Sequence, residues 1–220
     1  KYYQASSSEV FGNSFDGTAG LDETSPMSPE SPYAAAKLQS QAITRIYREA
    51  YGLFAVNGIL FNHESPLRGL EFVTRKISNG VARIKLNLAN SLTLGNQDAR
   101  RDWGYAPDYV EAMWRIMQLP EPDDFVIATG ESHSVLDFAK RAFSVVGLDP
   151  AEYIQIDQSL FRPLDVQHLV GSAAKAQSHF GWHPRVHFDG LVELMVEADV
   201  DKWRRYIRGE VFAWDAPNSV

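Results

Sequence analysis

Ser31-Pro32-Tyr33-Ala34-Ala35-Ala36-Lys37 opens a segment that runs to Ala50-Tyr51-Gly52, and Leu53-Phe54-Ala55-Val56-Asn57-Gly58-Ile59-Leu60-Phe61 follows it. The first part reads as a helix. Ser31 suits the N-cap, Pro32 suits the first helical position, and Gly52 suits the stop. The alanines favour helix and leave one face uncrowded. The second part reads as a buried strand, because apolar residues dominate both of its faces. Ahead of the helix, Lys1 to Ser6 reads as a short strand. Strand, long helix and buried strand in that order predict a parallel α/β sheet.

The rest of the chain extends this pattern. Residues 13–31, rich in Gly, Ser, Pro and Asp, read as a long loop. Helices are expected over Phe72–Leu88, Asp108–Leu119 and Ser134–Gly147, and near 172–180 and 188–207. Ser91–Leu94 reads as a short strand and Asp124–Gly130 as a further buried one. Gly181-Trp182-His183-Pro184 reads as a packed aromatic closing a helix before a proline turn. No internal repeat or low-complexity tract is present.

Composition narrows the class. With 220 residues, 45% of them hydrophobic, the chain can bury a sizeable core as one large domain or two small ones. A net charge of −7 argues against non-specific nucleic-acid binding. The densest basic run, Lys202 to Arg208, reads as a solvated helix face. The chain has no cysteine, so there is no disulfide frame and no thiolate metal site. No apolar run approaches a membrane span. The expectation is a soluble, cytoplasmic protein with no nucleic-acid or membrane partner.

Tyr33 and Lys37 lie four residues apart, on one helix face. A free tyrosine has a pKa of about 10 and is a poor base at neutral pH. A nearby ammonium favours the phenolate, and so does the positive end of the helix. Alone, the pair is also what a surface tyrosine beside a solvated lysine looks like. Ser7, Ser8 and Glu9 follow the opening strand, and Asn62 and His63 follow the second. Both groups therefore fall at carboxyl ends of strands, where open α/β sheets bind ligands. An ordinary serine turn and a structural histidine would give the same letters. No second histidine stands at metal-ligand spacing, which argues against a metal site. Arg75-Lys76, Arg100-Arg101 and Arg162 are the basic candidates for an anionic ligand, because arginine's planar fork suits a diphosphate.

Set side by side, these segments resemble the extended short-chain dehydrogenase/reductases, and within them the GDP-mannose 4,6-dehydratases. The resemblance is carried by Tyr3 to Glu9, Ser31 to Lys37 and Tyr47 to Pro66, and continues through Phe72 to Ile77 and Leu94 to Gly104. Asp108 to Trp114 and Val126 to Ser134 extend it, and it reaches about residue 203. It implies a Rossmann-like parallel sheet, of which residues 1–62 form the C-terminal part. Residues 63–220 would be mainly a smaller mixed α/β substrate-binding domain, with about 100–130 returning to the sheet. The glycine-rich turn that receives cofactor phosphates has no GxGxxG or GxxGxxG counterpart here, so the chain reads as the second part of a larger protein.

The implied reaction converts GDP-mannose to GDP-4-keto-6-deoxymannose with NADP in a homo-oligomer, a dimer or tetramer. Ser7, Glu9, Tyr33 and Lys37 would be catalytic. Tyr33, Lys37, His63 and Arg68 would meet the cofactor, while Ser8, Asn62, Lys76, Arg101 and Arg162 would hold the nucleotide-sugar. The chain departs from the family pattern at Ser7 (commonly threonine), Leu67 (arginine), Phe161 (tyrosine), Asp165 (glutamate) and Ser172 (aspartate). Two alternatives stay open: a related nucleotide-sugar 4-keto reductase or epimerase, or an inactive truncated fragment that only binds. Glu9 discriminates between the enzymes, since the related reductases and epimerases usually lack a carboxylate placed to take a carbon 5 proton.

Overall fold

The computed structural model describes residues 1–161 and 166–212. Its centre is a three-stranded parallel sheet in the order β1 (Tyr2–Ser7), β2 (Ala55–Leu60), β7 (Phe125–Ile127). The crossover from β1 to β2 is α1 (Pro32–Tyr51), which packs on both strands. Its ends are those the sequence predicts. Ser31 Oγ accepts the Ala34 N–H at 3.0 Å, and Gly52 adopts a left-handed φ of 63° while its N–H closes on Arg48 O.

Chain order continues through β3 (Asn62–Glu64), α2 (Val73–Lys85), β4 (Leu92–Leu94), β5 (Arg100–Arg101), β6 (Trp103–Tyr105) and α3 (Ala106–Gln118). After β7 come β8 (His133–Ser134), α4 (Val135–Val145), β9 (Ile154–Ile156), α5 (Ala174–Phe180) and α6 (Phe188–Ile207). The minor strands pair β3 with β6 and β4 with β9, both parallel, and β5 with β8, antiparallel. Strands β3, β5, β6, β8 and β9 have no counterpart in the sequence reading. Each is two or three residues long, too short to show alternation, and its partner is distant in the chain.

Apolar residues collect in three clusters. Phe11, Ile59 and Val126 pack on one face of the sheet, and Val56, Leu60, Tyr109, Ile116 and Trp182 pack on the other. Alternate residues of β2 serve the two faces, as the pleat requires. The third cluster joins α2, α4 and α6 through Ile77, Val81, Phe138, Phe143, Leu191 and Met195. Trp182 is buried and donates its indole N–H to Asp108 O at 2.9 Å, in keeping with the packed aromatic expected there.

The reading of β2 as a buried strand with mainly apolar faces holds, and its α1-facing side also carries Asn57, fully buried within a polar network. Asp124 Oδ1 accepts from Asn57 N, Asn57 Nδ2 and Arg48 Nη1, at 3.0, 3.0 and 2.7 Å. Asn57 Nδ2 also donates to Gln41 O, and Ser6 Oγ donates to Gln41 Oε1. Helix α1 thus buries Gln41 and Thr44, while Ile43, Ile46, Tyr47 and Tyr51 are exposed.

A second polar link joins α2 to α6. Arg75, 1% exposed, pairs with Asp199 Oδ1 at 2.9 Å, and Ser78 Oγ donates to Asp199 Oδ2. Burial pushes the Asp199 carboxyl above its ordinary range, against the pull of the Arg75 charge. Removing one partner of a buried ion pair strands the other charge. Asp199→Ala is therefore expected to cost about 3–5 kcal/mol of stability in denaturant unfolding, far more than an exposed acid would. Gly58 is equally constrained, since a Cβ there would overlap the Tyr3 phenol, whose hydroxyl is buried. Gly58→Ala should lower stability by about 1–3 kcal/mol through overpacking, measured by the same unfolding titration.

Candidate functional site

The register of β1 against β2 places Ser7 opposite Leu60, so the two strands end level. Ser7-Ser8-Glu9 and Asn62-His63 therefore leave the sheet at the same edge. Ser7 caps a short 3-10 turn, Ser8–Phe11, and its Oγ accepts the Glu9 N–H at 3.3 Å. That bond sets Glu9 in the first turn. The turn closes at Gly12, whose φ of 55° and whose contact with Ser28 O leave no room for a side chain. Ser8 is 2% exposed and does not line the cleft described next.

Beyond this edge lies a cleft of about 320 Å³, and Glu9, Asn62, Lys76 and Arg101 all line it. Four segments far apart in sequence contribute one predicted residue each. Asn62 Oδ1 is buried and has no hydrogen-bond partner among the described residues, which leaves an acceptor available to a ligand. Two cations and this amide suit the phosphates and polar edges of a nucleotide. Leu94, Trp103, Val135 and Leu160 provide apolar wall.

The basic pairs divide. Lys76 reaches the cleft, whereas its neighbour Arg75 is the buried partner of Asp199; consecutive helical residues point about 100° apart. Arg101 reaches the cleft, whereas Arg100 turns away, donating to Ser132 O and lying 3.7 Å from Asp137. Successive strand residues face opposite sides. Arg162 lies outside the described residues.

Between Arg101 and Trp103, Asp102 is fully buried. Its carboxylate accepts from Thr129 N and Oγ1, Gly130 N and Gly171 N, at 2.9, 2.6, 2.9 and 3.2 Å. Burial raises its pKa and these donors oppose the rise. Asp102 thereby ties the Arg101 strand to the end of β7.

Tyr33 and Lys37 stand beside the cleft rather than in its lining. Tyr33 is 55% exposed at the first turn of α1, and α1 packs on the turn that carries Glu9. Lys37 Nζ sits 5.5 Å from the Tyr33 ring centre and donates to Ala5 O at 2.9 Å, fixing its charge near the end of β1. His63 stacks on Tyr109 with 5.1 Å between ring centres. Its Nδ1 bonds Phe61 O at 2.9 Å, and a carbonyl can only accept, so that nitrogen carries the proton. Burial holds the His63 pKa down and favours the neutral ring. Arg68 pairs with Glu64 at 3.2 Å and lies over the Phe72 ring.

The sequence reading does not single out Glu64, Glu71 or Asn96, which also line the cleft. Glu64 had one available signal, its place directly after Asn62-His63. Asn96 lay within the Leu94–Gly104 segment that carries the family resemblance, whereas Glu71 had no signal, because the loop that carries it is placed by tertiary packing. Among the described residues no group of three or more His, Asp or Glu is arranged to hold a metal ion, and no helix is long and apolar enough to cross a membrane.

Comparison with known proteins bears on this site. Residues 1–195 match the family model described as GDP-mannose 4,6 dehydratase. GDP-mannose 4,6 dehydratase 2 of Arabidopsis thaliana is 52% identical over 205 residues, covering 93% of this chain and 54% of the relative. GDP-mannose 4,6 dehydratase of Homo sapiens is 48% identical over 221 residues, covering 93% and 59%. The chain spans about half the length of these curated relatives. RMD from Pseudomonas aeruginosa, solved with NADPH, superposes with a TM-score of 0.83 at 21% identity, covering 91% of this chain and 66% of that one. Thermus thermophilus UDP-glucose 4-epimerase, solved with NAD, gives 0.78 at 25% identity, covering 96% and 65%. These structural likenesses bear out the Rossmann-like α/β reading. With the family model matched by residues 1–195 of this chain, and relatives near half identical over 93% of it, this chain belongs to the GDP-mannose 4,6-dehydratase family.

Proposed function

We propose that this chain is the substrate-binding and catalytic part of a GDP-mannose 4,6-dehydratase, converting GDP-mannose to GDP-4-keto-6-deoxymannose. The observation that carries the reading is the convergence of Glu9, Asn62, Lys76 and Arg101 on one cleft at the carboxyl edge of the sheet, beside the helix of Tyr33 and Lys37. Tyr33 takes the proton of the sugar's 4-hydroxyl. Lys37, held at Ala5 O, keeps a positive charge beside it. Glu9 removes the proton from carbon 5 and delivers it to the departing hydroxyl of carbon 6, which leaves as water. A proton equivalent to the one taken by Tyr33 returns to carbon 5, and Ser7 holds Glu9 and helps to orient the sugar. Asn62, Lys76 and Arg101 hold the nucleotide-sugar, with Arg162 as a further family position; Ser8, buried behind the turn, does not reach the cleft.

The cofactor in this reading is NADP. An exposed tyrosine, a fixed ammonium, a neutral histidine and an arginine held on an aromatic ring fit its nicotinamide and ribose end. When bound, it supplies a transient store for the hydride taken from carbon 4 and returned to carbon 6. The choice of NADP over NAD rests on the family resemblance. We assign residues 1–62 to the Rossmann-like unit and 63–220 mainly to substrate binding, with about 100–130 returning; the place of β7 beside β2 supports the return. The apolar outward residues of α1 support a homo-oligomer, a dimer or tetramer. A cysteine-free chain fits the cytoplasm.

The test uses the full-length protein with GDP-mannose and NADP. Wild type should form a 4-keto-6-deoxy sugar. Glu9→Gln and Tyr33→Phe should each lower the rate by about 10²–10⁴-fold while GDP-mannose still binds. Reduction or epimerisation without loss of water would overturn the dehydratase reading in favour of its relatives. No turnover at all would leave only a binding protein.

A further inference from the structure

Glu64 ends β3 with a side chain almost wholly removed from solvent, on the wall of the cleft. Its carboxylate makes two ties. It accepts a 2.6 Å hydrogen bond from Thr74 Oγ1 in the first turn of α2, and it pairs with Arg68 Nε at 3.2 Å. The Arg68 guanidinium also lies over the Phe72 ring, 3.5 Å from its centre. A carboxylate buried this deeply is costly unless a cation accompanies it. Burial pushes the Glu64 carboxyl above its ordinary range, and the Arg68 charge with the Thr74 hydroxyl pulls it back. Arginine, for its part, loses much rotamer freedom when it binds a ligand, and a side chain already clamped loses less.

We propose that Glu64 is a positioning residue that acts through Arg68, presetting the guanidinium for the cofactor. The inference rests on the assignment of Arg68 to the cofactor made above. The Thr74 bond is a separate tie. It joins the end of β3, which carries Asn62, to α2, which carries Lys76. Both ties end on the same oxygen, Oε2, so Glu64→Gln keeps an acceptor for Thr74 and removes the charge that pairs with Arg68.

The experiment measures NADPH and GDP-mannose dissociation constants in the full-length protein, by NADPH fluorescence and by calorimetry. Arg68→Ala should weaken NADPH binding about tenfold, the scale of a hydrogen bond to a charged group. Glu64→Gln should weaken it severalfold and change GDP-mannose affinity by less. The double variant should be no weaker than Arg68→Ala alone, because a residue acting only through Arg68 has nothing further to lose. If Glu64→Gln does not fold, Glu64→Asp, which keeps the charge and shortens its reach, is read in its place with the same non-additivity. No effect of Arg68→Ala would overturn the cofactor assignment itself. An effect of Arg68→Ala with none from the Glu64 variant would overturn the positioning role alone. Additive losses, or equal losses of NADPH and GDP-mannose affinity, would mark a general distortion of the cleft and overturn it too.

Discussion

The parallel pairing of β1 with β2, in the register that sets Ser7 opposite Leu60, is the constraint on which the rest depends. In a parallel pair both chains leave the sheet in one direction, so Glu9 and Asn62 emerge at one edge although 53 positions separate them. A shift of one residue would exchange the two buried faces of β2 and carry Asn62 away from Glu9. Helix α1 enforces the register from the side, through Ser6, Gln41, Asn57, Arg48 and Asp124. Those bonds are directional in a way apolar contacts are not. A slipped strand would leave Asn57 and Asp124 buried without partners, which costs more than lost packing.

The cleft's outer wall is held by the same kind of device. Asp102 gathers N–H groups from Thr129, Gly130 and Gly171, and so anchors the strand that presents Arg101. Arg75 and Asp199 fasten α2, which presents Lys76, to α6. Glu64 fastens the end of β3 to the first turn of α2. Each ligand-facing cation thus sits beside a buried charge that fixes its backbone. The arrangement explains why basic residues adjacent in sequence have opposite fates. One of each pair, Lys76 or Arg101, is offered to the cleft, and the other, Arg75 or Arg100, is used within the protein.

Much of this was legible from the chain. The limits of α1 were written in Ser31, Pro32 and Gly52, and α6 in its long periodic run. The sites at strand ends followed from the strand–helix–strand order, since ligands meet a parallel sheet at that edge. Less legible were β3, β5, β6, β8 and β9, which exist only because a distant segment pairs with them. The buried polar side of β2 was also missed, because one asparagine among aliphatic residues does not disclose the aspartate that satisfies it.

Sequence by itself determined the helix that carries Tyr33 and Lys37, the strands that end before Glu9 and Asn62, and the family, because local capping chemistry, side-chain period and long ordered identity are properties of contiguous residues. Only the tertiary structure decided that Glu9, Asn62, Lys76 and Arg101 share one cleft, that Arg75 is a buried strut, and that Glu64 grips Arg68. Those outcomes depend on which face of a helix or strand meets another element. That choice is made by the burial of whole surfaces, not by the residues that lie next to one another in the chain.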